Sequence, residues 1–443
     1  MSQTTEAACL LQSGSMYFRR IGLKARSGDV IFAGIKPGAV SLYFGDEPIY
    51  HFDLEGRWQR AFVDGMHYLK GLDGSVRSVG REREAGGMVL RRGTLPYAEA
   101  VDLDASIRST ALGLIDDLDA GNFEVLLPPP DRKPLLPERL RAFLESVAGW
   151  DAAAWFAHRE RYISAYGPLP FLPPDCPNAL VLQATLGHAD GRAFGRGPAA
   201  EHYVRSVPEF QEHAGAVRRL VGRRIAQHKG VFLAGADVLR RPFEEVIGLL
   251  EAARLVLPIG VETPRSSPFG ENRDDDDPDL VPTNLGLVHA FLDDFVPPLP
   301  DSEGWRRLRK AHLGRITLGV ESGDPQVRSS FGKSWTDDDL RSLIADLKAA
   351  EIGVGVVVLI GAGGRAKAED HLESTSALLA GLPLEAGDLV SLVDARSLDD
   401  ALVDPLSDAE TLGQVAALRS RVAAARPSKG PKLVAYNPDK HWN

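Results

Sequence analysis

A short loop after an apolar run holds a histidine, an arginine and an aromatic residue that could bind a metal or a ligand. Residues 179–186 are almost entirely apolar, and His188, Arg192 and Gly195 follow at spacings of four and three residues. An imidazole can ligate a metal, but a guanidinium stays protonated and glycine has no side chain to offer. We therefore predict no metal site here. His188 and Arg192 are instead candidates for binding a ligand in this loop, and Phe194 is an aromatic ring that could stack on a purine.

Glycines and polar residues recur where the predicted strands end. Glycine lets the backbone approach a ligand closely, and a carboxylate accepts hydrogen bonds from hydroxyl or amino groups. The structural alternatives are tight turns for the glycines, a salt bridge or helix cap for the carboxylate, and core packing for the aromatic ring. The residues at or just past strand ends are Phe194, Gly235, Glu321, Ser322, Gly361 and Gly363.

Apolar runs and amphipathic segments alternate from residue 178 onward, which predicts parallel strands joined by helices. We expect an α/β fold with about six such units, a partial (β/α)6 TIM-like barrel over 178–425. The carboxyl ends of the strands of such a barrel form its functional rim. The predicted strands are 179–186, 231–234, 285–292, 315–320, 354–360 and 388–393. The predicted helices are about 207–224, 241–255, 303–312, 336–350, 368–380 and 407–424.

The residues before the barrel form two further regions. Short apolar runs separated by glycine-containing turns predict a small, mostly antiparallel β-rich domain over 16–103. Helical periodicity and two proline-rich stretches predict a connector over 104–177. Residues 1–15 and 426–443 are polar, and we expect both to be flexible.

Composition limits the class of protein. The 443 residues suggest two or three domains. A net charge of −10 disfavours a broad nucleic-acid footprint, and the only cysteines are Cys9 and Cys176. No stretch resembles a signal peptide or reaches the ~20 apolar residues of a membrane span. We expect a cytoplasmic protein that binds neither nucleic acid nor membrane.

Several segments of the barrel resemble the radical S-adenosylmethionine (radical SAM) superfamily. The most specific is the strand that delivers Gly-Val-Glu-Ser at 319–322, followed by Gly-Lys-Ser-Trp-Thr at 332–336. The others are Val-Pro-Glu-Phe-Gln-Glu-His at 207–213, Gly-Val-Phe-Leu-Ala-Gly at 230–235 and the glycine-ended strand 353–364. Together these matches cover about 179–394, roughly half of the chain. The resemblance implies a SAM site at the rim that includes Phe194, Gly235, Asp237, Glu321, Ser322, Gly361 and Gly363.

The chain departs from this family at its cluster motif. The resemblance implies C-x3-C-x2-C after the first strand, whose thiolates hold a [4Fe–4S] cluster, but His188, Arg192 and Gly195 occupy the three positions. Thiolates are the ligands that such clusters require. No [4Fe–4S] cluster is therefore expected from this chain alone, whereas S-adenosylmethionine remains a candidate ligand.

The sequence favours a degenerate radical SAM-like protein, a pseudoenzyme that binds SAM, another ligand or a partner. One alternative is an active enzyme whose cluster is ligated unusually or by a partner, such as a cysteine-bearing radical SAM relative. Others are a non-radical SAM-dependent enzyme and a scaffold whose N-terminal β domain does the binding. We also hypothesise that the Arg192 guanidinium neutralises the SAM carboxylate or a different anionic ligand.

Overall fold

A computed structural model describes residues 5–13, 16–84, 87–169, 172–187, 202–235, 237–260, 263–266, 281–293, 295, 298–398, 402–426 and 430–437. Short apolar runs and glycine turns in the N-terminal third form a meandering antiparallel sheet, extended at one edge by two short strands. Its strands are β1 (Arg19–Lys24), β2 (Val30–Lys36), β3 (Ala39–Phe44), β4 (Ile49–Asp53), β5 (Trp58–Val63), β6 (Met66–Lys70), β7 (Val76–Glu84), β8 (Gly87–Thr94), β9 (Glu124–Leu126) and β10 (Lys133–Pro134). The helices of this region are α1 (Glu6–Ser13), α2 (Tyr97–Asp119), α3 (Pro137–Ala148) and α4 (Ala152–Ala165).

Successive side chains of a strand point to opposite faces of the sheet, so both faces carry apolar residues that pack against helices. One face, with Val40, Leu42 and Phe52, forms a buried core with α2 and α3. The other face packs Phe32 and Tyr43 against α1. Helix α1 lies in a segment that we expected to be flexible. It is ordered because Ala7 and Leu11, one helical turn apart, are buried against the sheet.

The second half of the chain is built on a sheet of seven parallel strands in sequential order, β11-β14-β17-β18-β19-β20-β21. The strands of this half are β11 (Ala179–Gln183), β12 (Thr185–Leu186), β13 (Tyr203–Val204), β14 (Gly230–Ala234), β15 (Thr263–Ser266), β16 (Val281–Thr283), β17 (Val288–Leu292), β18 (Leu313–Glu321), β19 (Gly353–Ile360), β20 (Leu389–Asp394) and β21 (Lys432–Tyr436). The helices are α5 (Val207–Val221), α6 (Phe243–Val256), α7 (Ser302–Lys310), α8 (Pro325–Ser330), α9 (Asp337–Ala349), α10 (Ala368–Gly381) and α11 (Asp408–Ala425).

The α/β architecture is confirmed, with its six predicted strand and helix pairs in place. Two details differ from expectation. The run 179–186 is split, because β12 leaves the parallel sheet and pairs with β13 as a short antiparallel ladder. The tail 426–443, expected to be flexible, contains β21, which pairs in parallel with β20 and buries Tyr436. A hydrogen bond from Tyr436 Oη to the carbonyl of Leu172 fixes the end of this strand.

A buried ion pair fastens the N-terminal sheet to the barrel. In the turn between β4 and β5, Arg57 Nε donates to Asp53 Oδ2 at 2.7 Å, and both side chains are at least 96% buried. The same guanidinium donates to the carbonyls of Leu220 and Val221, at 2.8 and 2.6 Å, which lie at the end of α5. Arg57 thus satisfies orphan carbonyls at a helix C-terminus, where a cation is favoured.

None of the helices within the described residues combines the length and apolarity needed to cross a membrane.

Replacing Arg57 by methionine is expected to destabilise the protein by about 3 kcal/mol, because Asp53 then stays buried without its counter-charge. Urea unfolding of the full chain measures this loss. The control is Arg306→Met, which removes an exposed pair with Glu303 and should change stability by less than about 0.5 kcal/mol. Equal stability of the two variants would contradict the role assigned to Arg57.

Candidate functional site

Three ionisable side chains meet at the carboxyl ends of β17 and β18. Asp293 directly follows β17, Glu321 ends β18, and Lys333 comes from the segment between α8 and α9. Lys333 Nζ donates to Asp293 Oδ1 at 2.6 Å and to the Asp293 carbonyl at 2.7 Å. It also lies 3.3 Å from Glu321 Oε2. The Lys333 and Glu321 side chains are almost fully buried, whereas about a third of the Asp293 side chain is exposed. The cluster therefore opens to solvent at Asp293.

The backbone at Glu321 adopts a conformation that non-glycine residues rarely take. Its φ is +58°, and the Ser322 N–H donates to the Val320 carbonyl at 2.6 Å, closing a tight turn around Glu321. The register with β19 shifts between Gly319 and Glu321, which marks a bulge. A strained residue of this kind costs about 1–3 kcal/mol, and such residues cluster at functional sites. The bulge is what directs this carboxylate to the rim.

Burial favours the protonated form of the Glu321 carboxyl. Its pKa is raised to about 8 because desolvation outweighs the lowering by the Lys333 ammonium, and the nearby Asp293 charge adds to the increase. Glu321 Oε2 is buried, and its contact with Lys333 lacks hydrogen-bond geometry, so the oxygen has no hydrogen-bond partner. Buried polar atoms are normally satisfied. Glu321 Oε2 is thus an unused acceptor beside Lys333, which a ligand could reach only by entering the cluster from its open side at Asp293.

Gly319 leaves the space in which this cluster forms. A Cβ atom at this position would lie 2.9 Å from Glu321 Oε1 and 3.2 Å from Lys333 Nζ, and it would clash with Asp293 Oδ1. The glycine of the Gly-Val-Glu-Ser segment is therefore required by the three polar groups packed around it.

Ser322 is turned away from this cluster. It is fully buried, and its Oγ lies 2.7 Å from His371 Nδ1 on α10 while accepting from the Asp324 N–H. On the same helix, Thr375 Oγ1 accepts from the Gly323 N–H. Burial lowers the pKa of His371 to about 4, so the ring is neutral. In this structure Ser322 ties the strained turn to α10, and its predicted contact with a cofactor stays a prediction.

The other predicted site residues lie at neighbouring strand ends. Gly235, after β14, has a φ of +139°, and a Cβ there would lie 3.0 Å from the Thr185 side chain. The Thr185 hydroxyl is buried without a hydrogen-bond partner. Asp237 is partly exposed, and His202 Nε2 lies 3.6 Å from its Oδ2. These residues stand at the rim, where the parallel strands place them.

The glycine turn after β19 is fixed by α11 and by its own chain. Gly361 has a φ of +79° and donates its N–H to Gln414 Oε1 at 2.8 Å. A Cβ at Gly363 would clash with the Lys367 side chain and lie 3.1 Å from Val327. Turn geometry and close packing account for both glycines, and ligand contacts there remain predictions.

Three of the predicted ligand-binding residues, His188, Arg192 and Phe194, lie outside the described residues. Conversely, Asp293 and Gly319 were missing from the predicted set although a sequence signal existed. Asp293 directly follows the predicted strand 285–292, just as Glu321 directly follows 315–320. Because parallel strands end at the same edge of a sheet, this shared position predicts that the two carboxyl groups lie close together. His371 and Gln414 carry no such signal, because their roles depend on how α10 and α11 pack.

The cysteines do not fit an iron–sulfur cluster at this rim. Cys9 lies on α1 and is exposed. A Cβ at Gly230 would lie 3.2 Å from Cys176 Sγ, and Gly230 begins β14, so Cys176 is at the opposite, amino-terminal end of the strands. Among the described residues, no group of three or more His, Cys, Asp or Glu side chains is arranged to hold a metal ion. The thiolates that a cluster needs are absent from the carboxyl ends of the strands.

No family model matches the sequence, and no curated protein matches it. Solved structures similar to the chain, all at low identity, include radical SAM enzymes. One is HydG, a maturase of the [FeFe]-hydrogenase, with 12% identity, coverage of 76% of this chain and 71% of that chain, and a TM-score of 0.36. A radical SAM methyltransferase from Sphaerobacter thermophilus has 12% identity, 58% and 67% coverage, and a TM-score of 0.36. Coproporphyrinogen III oxidase (HemN) from Escherichia coli, a radical SAM enzyme, has 11% identity, 60% and 64% coverage, and a TM-score of 0.35.

Protonation of Glu321 predicts how stability depends on pH. The folded protein keeps this proton up to a pKa of about 8, whereas the unfolded chain loses it near the ordinary value of 4.5. The folded state binds more protons in between, so its stability falls as pH rises through this window. The free energy of unfolding of Glu321→Gln, minus that of the parent protein, should therefore increase over the same window. Urea unfolding at several pH values measures it.

The matched control for that series is Asp338→Asn, since Asp338 is 93% exposed and should give a flat difference. If the difference in unfolding free energy between Glu321→Gln and the parent protein also stays constant with pH, Glu321 is ionised at neutral pH.

Adding a methyl group at Gly319 is expected to destabilise the protein by about 1–3 kcal/mol, because the three charged groups must move apart. Gly113→Ala is the matched control, since nothing lies within 4 Å of a Cβ at this position in α2, and it should stabilise by about 0.5–1 kcal/mol. Thermal unfolding compares the two. Similar stability for both alanine variants would argue against a tightly packed cluster.

Proposed function

We propose that this chain is a radical SAM-like protein that binds S-adenosylmethionine, or a ligand with a similar ammonium group, without building its own [4Fe–4S] cluster. The observation that carries the proposal is the buried, unsatisfied Glu321 Oε2 at the end of β18. It lies in the Gly-Val-Glu-Ser segment, which resembles the superfamily. Loss of cluster-dependent catalysis makes the chain a pseudoenzyme.

The charge of the cluster favours a cationic group. With Glu321 protonated, the charge of Lys333 is balanced by Asp293. An ammonium group near Glu321 would lower the pKa of its carboxyl, which then ionises and accepts a strong hydrogen bond. Binding at neutral pH is therefore coupled to release of a proton from Glu321. The same reasoning disfavours a ligand that brings only an anion to this end of β17 and β18.

The missing thiolates support the absence of cluster chemistry. In the superfamily, cysteine thiolates hold the cluster that reduces SAM, and this chain has His188, Arg192 and Gly195 at the corresponding positions. Neither of its two cysteines lies at the rim. Arg192 is proposed to neutralise the carboxylate of the ligand. A cysteine-bearing partner and a cytoplasmic location stay predictions.

Calorimetry with S-adenosylmethionine on the full chain tests this function. We expect one site, with an observed enthalpy that changes between buffers of different ionisation enthalpy because a proton is released. Glu321→Gln should bind at least about tenfold more weakly, corresponding to one lost charged hydrogen bond, and should release no proton. Asp338→Asn, on the exposed start of α9, should bind like the parent protein.

Absence of binding, or unchanged binding and proton release in Glu321→Gln, would overturn the proposal. A parallel sample reconstituted anaerobically with iron and sulfide should form no 5′-deoxyadenosine from S-adenosylmethionine and a reductant. Its formation would establish the alternative of an active enzyme.

A further inference from the structure

A cavity of about 570 Å³ lies between α2 and the sheet, where β2 begins and β3 ends. Helix α2 forms one wall with Thr110, Gly113, Leu114 and Asp117, which share one helical face because they are spaced three and four residues apart. A cavity of this volume suits a small organic molecule. All of its lining residues belong to the N-terminal third of the chain, so it is distinct from the rim of the barrel.

The inner surface of this cavity is apolar. Leu114 is 4% exposed and belongs to the core under the sheet, whereas Ile31, Phe44 and Phe123 are partly buried residues that border this core. Gly113 leaves room beside them, since a Cβ atom at this position would have no other atom within 4 Å. Aliphatic side chains and two aromatic rings favour a ligand with methylene groups, which they remove from water, and the rings also attract cations.

Three carboxylates line the same cavity. Asp29 directly precedes β2, Glu47 lies between β3 and β4, and Asp117 belongs to α2. None of the residues that line the cavity is a lysine, an arginine or a histidine. Within the described residues, none of the three carboxylates forms an ion pair. A cleft lined by charges of one sign concentrates ions of the opposite sign, so this cavity attracts cations.

Each of these carboxylates has one oxygen engaged in a local hydrogen bond. Asp29 Oδ2 accepts from the Ser27 hydroxyl at 2.7 Å. Glu47 Oε2 accepts from a backbone N–H at 3.0 Å, and Asp117 Oδ1 accepts from the side-chain amide of Asn122 at 2.8 Å. These bonds orient the three groups. The second oxygen of each carboxylate accepts no hydrogen bond from the described part of the chain, which leaves three acceptors for a ligand.

The spacing of the carboxylates disfavours a single metal ion. Among the described residues, no group of three or more His, Cys, Asp or Glu side chains is arranged to hold one. Apolar side chains make up most of the remaining lining. A ligand that satisfies all three carboxylates must therefore carry several separated positive charges on an apolar frame.

We propose that this cavity binds a linear aliphatic polyamine, in which short methylene segments separate the ammonium groups. The methylene segments pack on Phe44 and Phe123, and the ammonium groups donate charge-assisted hydrogen bonds to Asp29, Glu47 and Asp117. No residue of the rim takes part, so the site is independent of the function proposed there.

Calorimetry of the full chain with spermidine, at a constant ionic strength of about 0.15 M, tests the site. We expect one-to-one binding. Glu47→Gln and Asp117→Asn should each weaken it at least about threefold, and the double variant at least about tenfold. The new amide oxygens still accept the local hydrogen bonds, so both variants keep the fold. The matched control is Asp116→Asn, which removes an exposed charge from α2 outside the cavity lining and should change the affinity less than about twofold because of screening.

Other cations test the ligand class in the same titration. Hexylamine has an aliphatic chain with one ammonium group and should bind at least about tenfold more weakly than spermidine. Magnesium ions at the same ionic strength should not displace spermidine, and neither should saturating S-adenosylmethionine, which is proposed to bind at the rim. Absence of spermidine binding, unchanged affinity in the double variant, equal affinity for hexylamine, or displacement by magnesium or S-adenosylmethionine would overturn the proposal.

Discussion

The arrangement at the rim depends on one costly feature, a carboxyl group buried at a strained strand end. The bulge in β18 and the positive φ of Glu321 place its side chain beside Lys333 and Asp293 rather than along the strand. Burial then raises the pKa of this carboxyl to about 8. The turn is held by the hydrogen bonds of Ser322 and Gly323 to α10. Strain and desolvation are both unfavourable, so the surrounding structure must fix this geometry, and a ligand that donates to Oε2 would relieve the second cost.

The N-terminal sheet and the barrel are joined by a second concentration of charge, with a different balance. At the rim, one lysine faces two carboxyl groups, and protonation of one of them restores neutrality. At the contact between sheet and barrel, Asp53 is paired with Arg57, which also donates to the carbonyls of Leu220 and Val221. An arginine cannot relieve its burial by losing a proton at neutral pH as a glutamate can by gaining one. The rim therefore reaches neutrality by protonation, whereas the contact reaches it through a permanent ion pair.

The sequence predicted the barrel well because its signals are local and repeated. Six buried strands alternate with six amphipathic helices, and each strand and helix can be recognised from the spacing of its own apolar residues. The strand β21 was missed because only Leu433 and Tyr436 are partly or fully buried, which is too weak a hydrophobic pattern in a five-residue segment. At the rim, Glu321 could be predicted from its place at a strand end. Its protonation could not, because that depends on burial and on Asp293, a residue 28 positions earlier in the chain. The orientation of Ser322 could not be predicted either, because its hydroxyl group is fixed by His371 on α10, far away in the sequence.

The central claim is that the Glu321 carboxyl is protonated in the free protein and loses its proton when a ligand with an ammonium group binds. Infrared difference spectroscopy at neutral pH tests this directly, because a protonated carboxyl group has a C=O stretch that a carboxylate lacks. We predict that S-adenosylmethionine removes one protonated-carboxyl band from the spectrum of the full chain, and that this band is absent in Glu321→Gln. A band that persists at saturating ligand, or that was never present, would contradict this account.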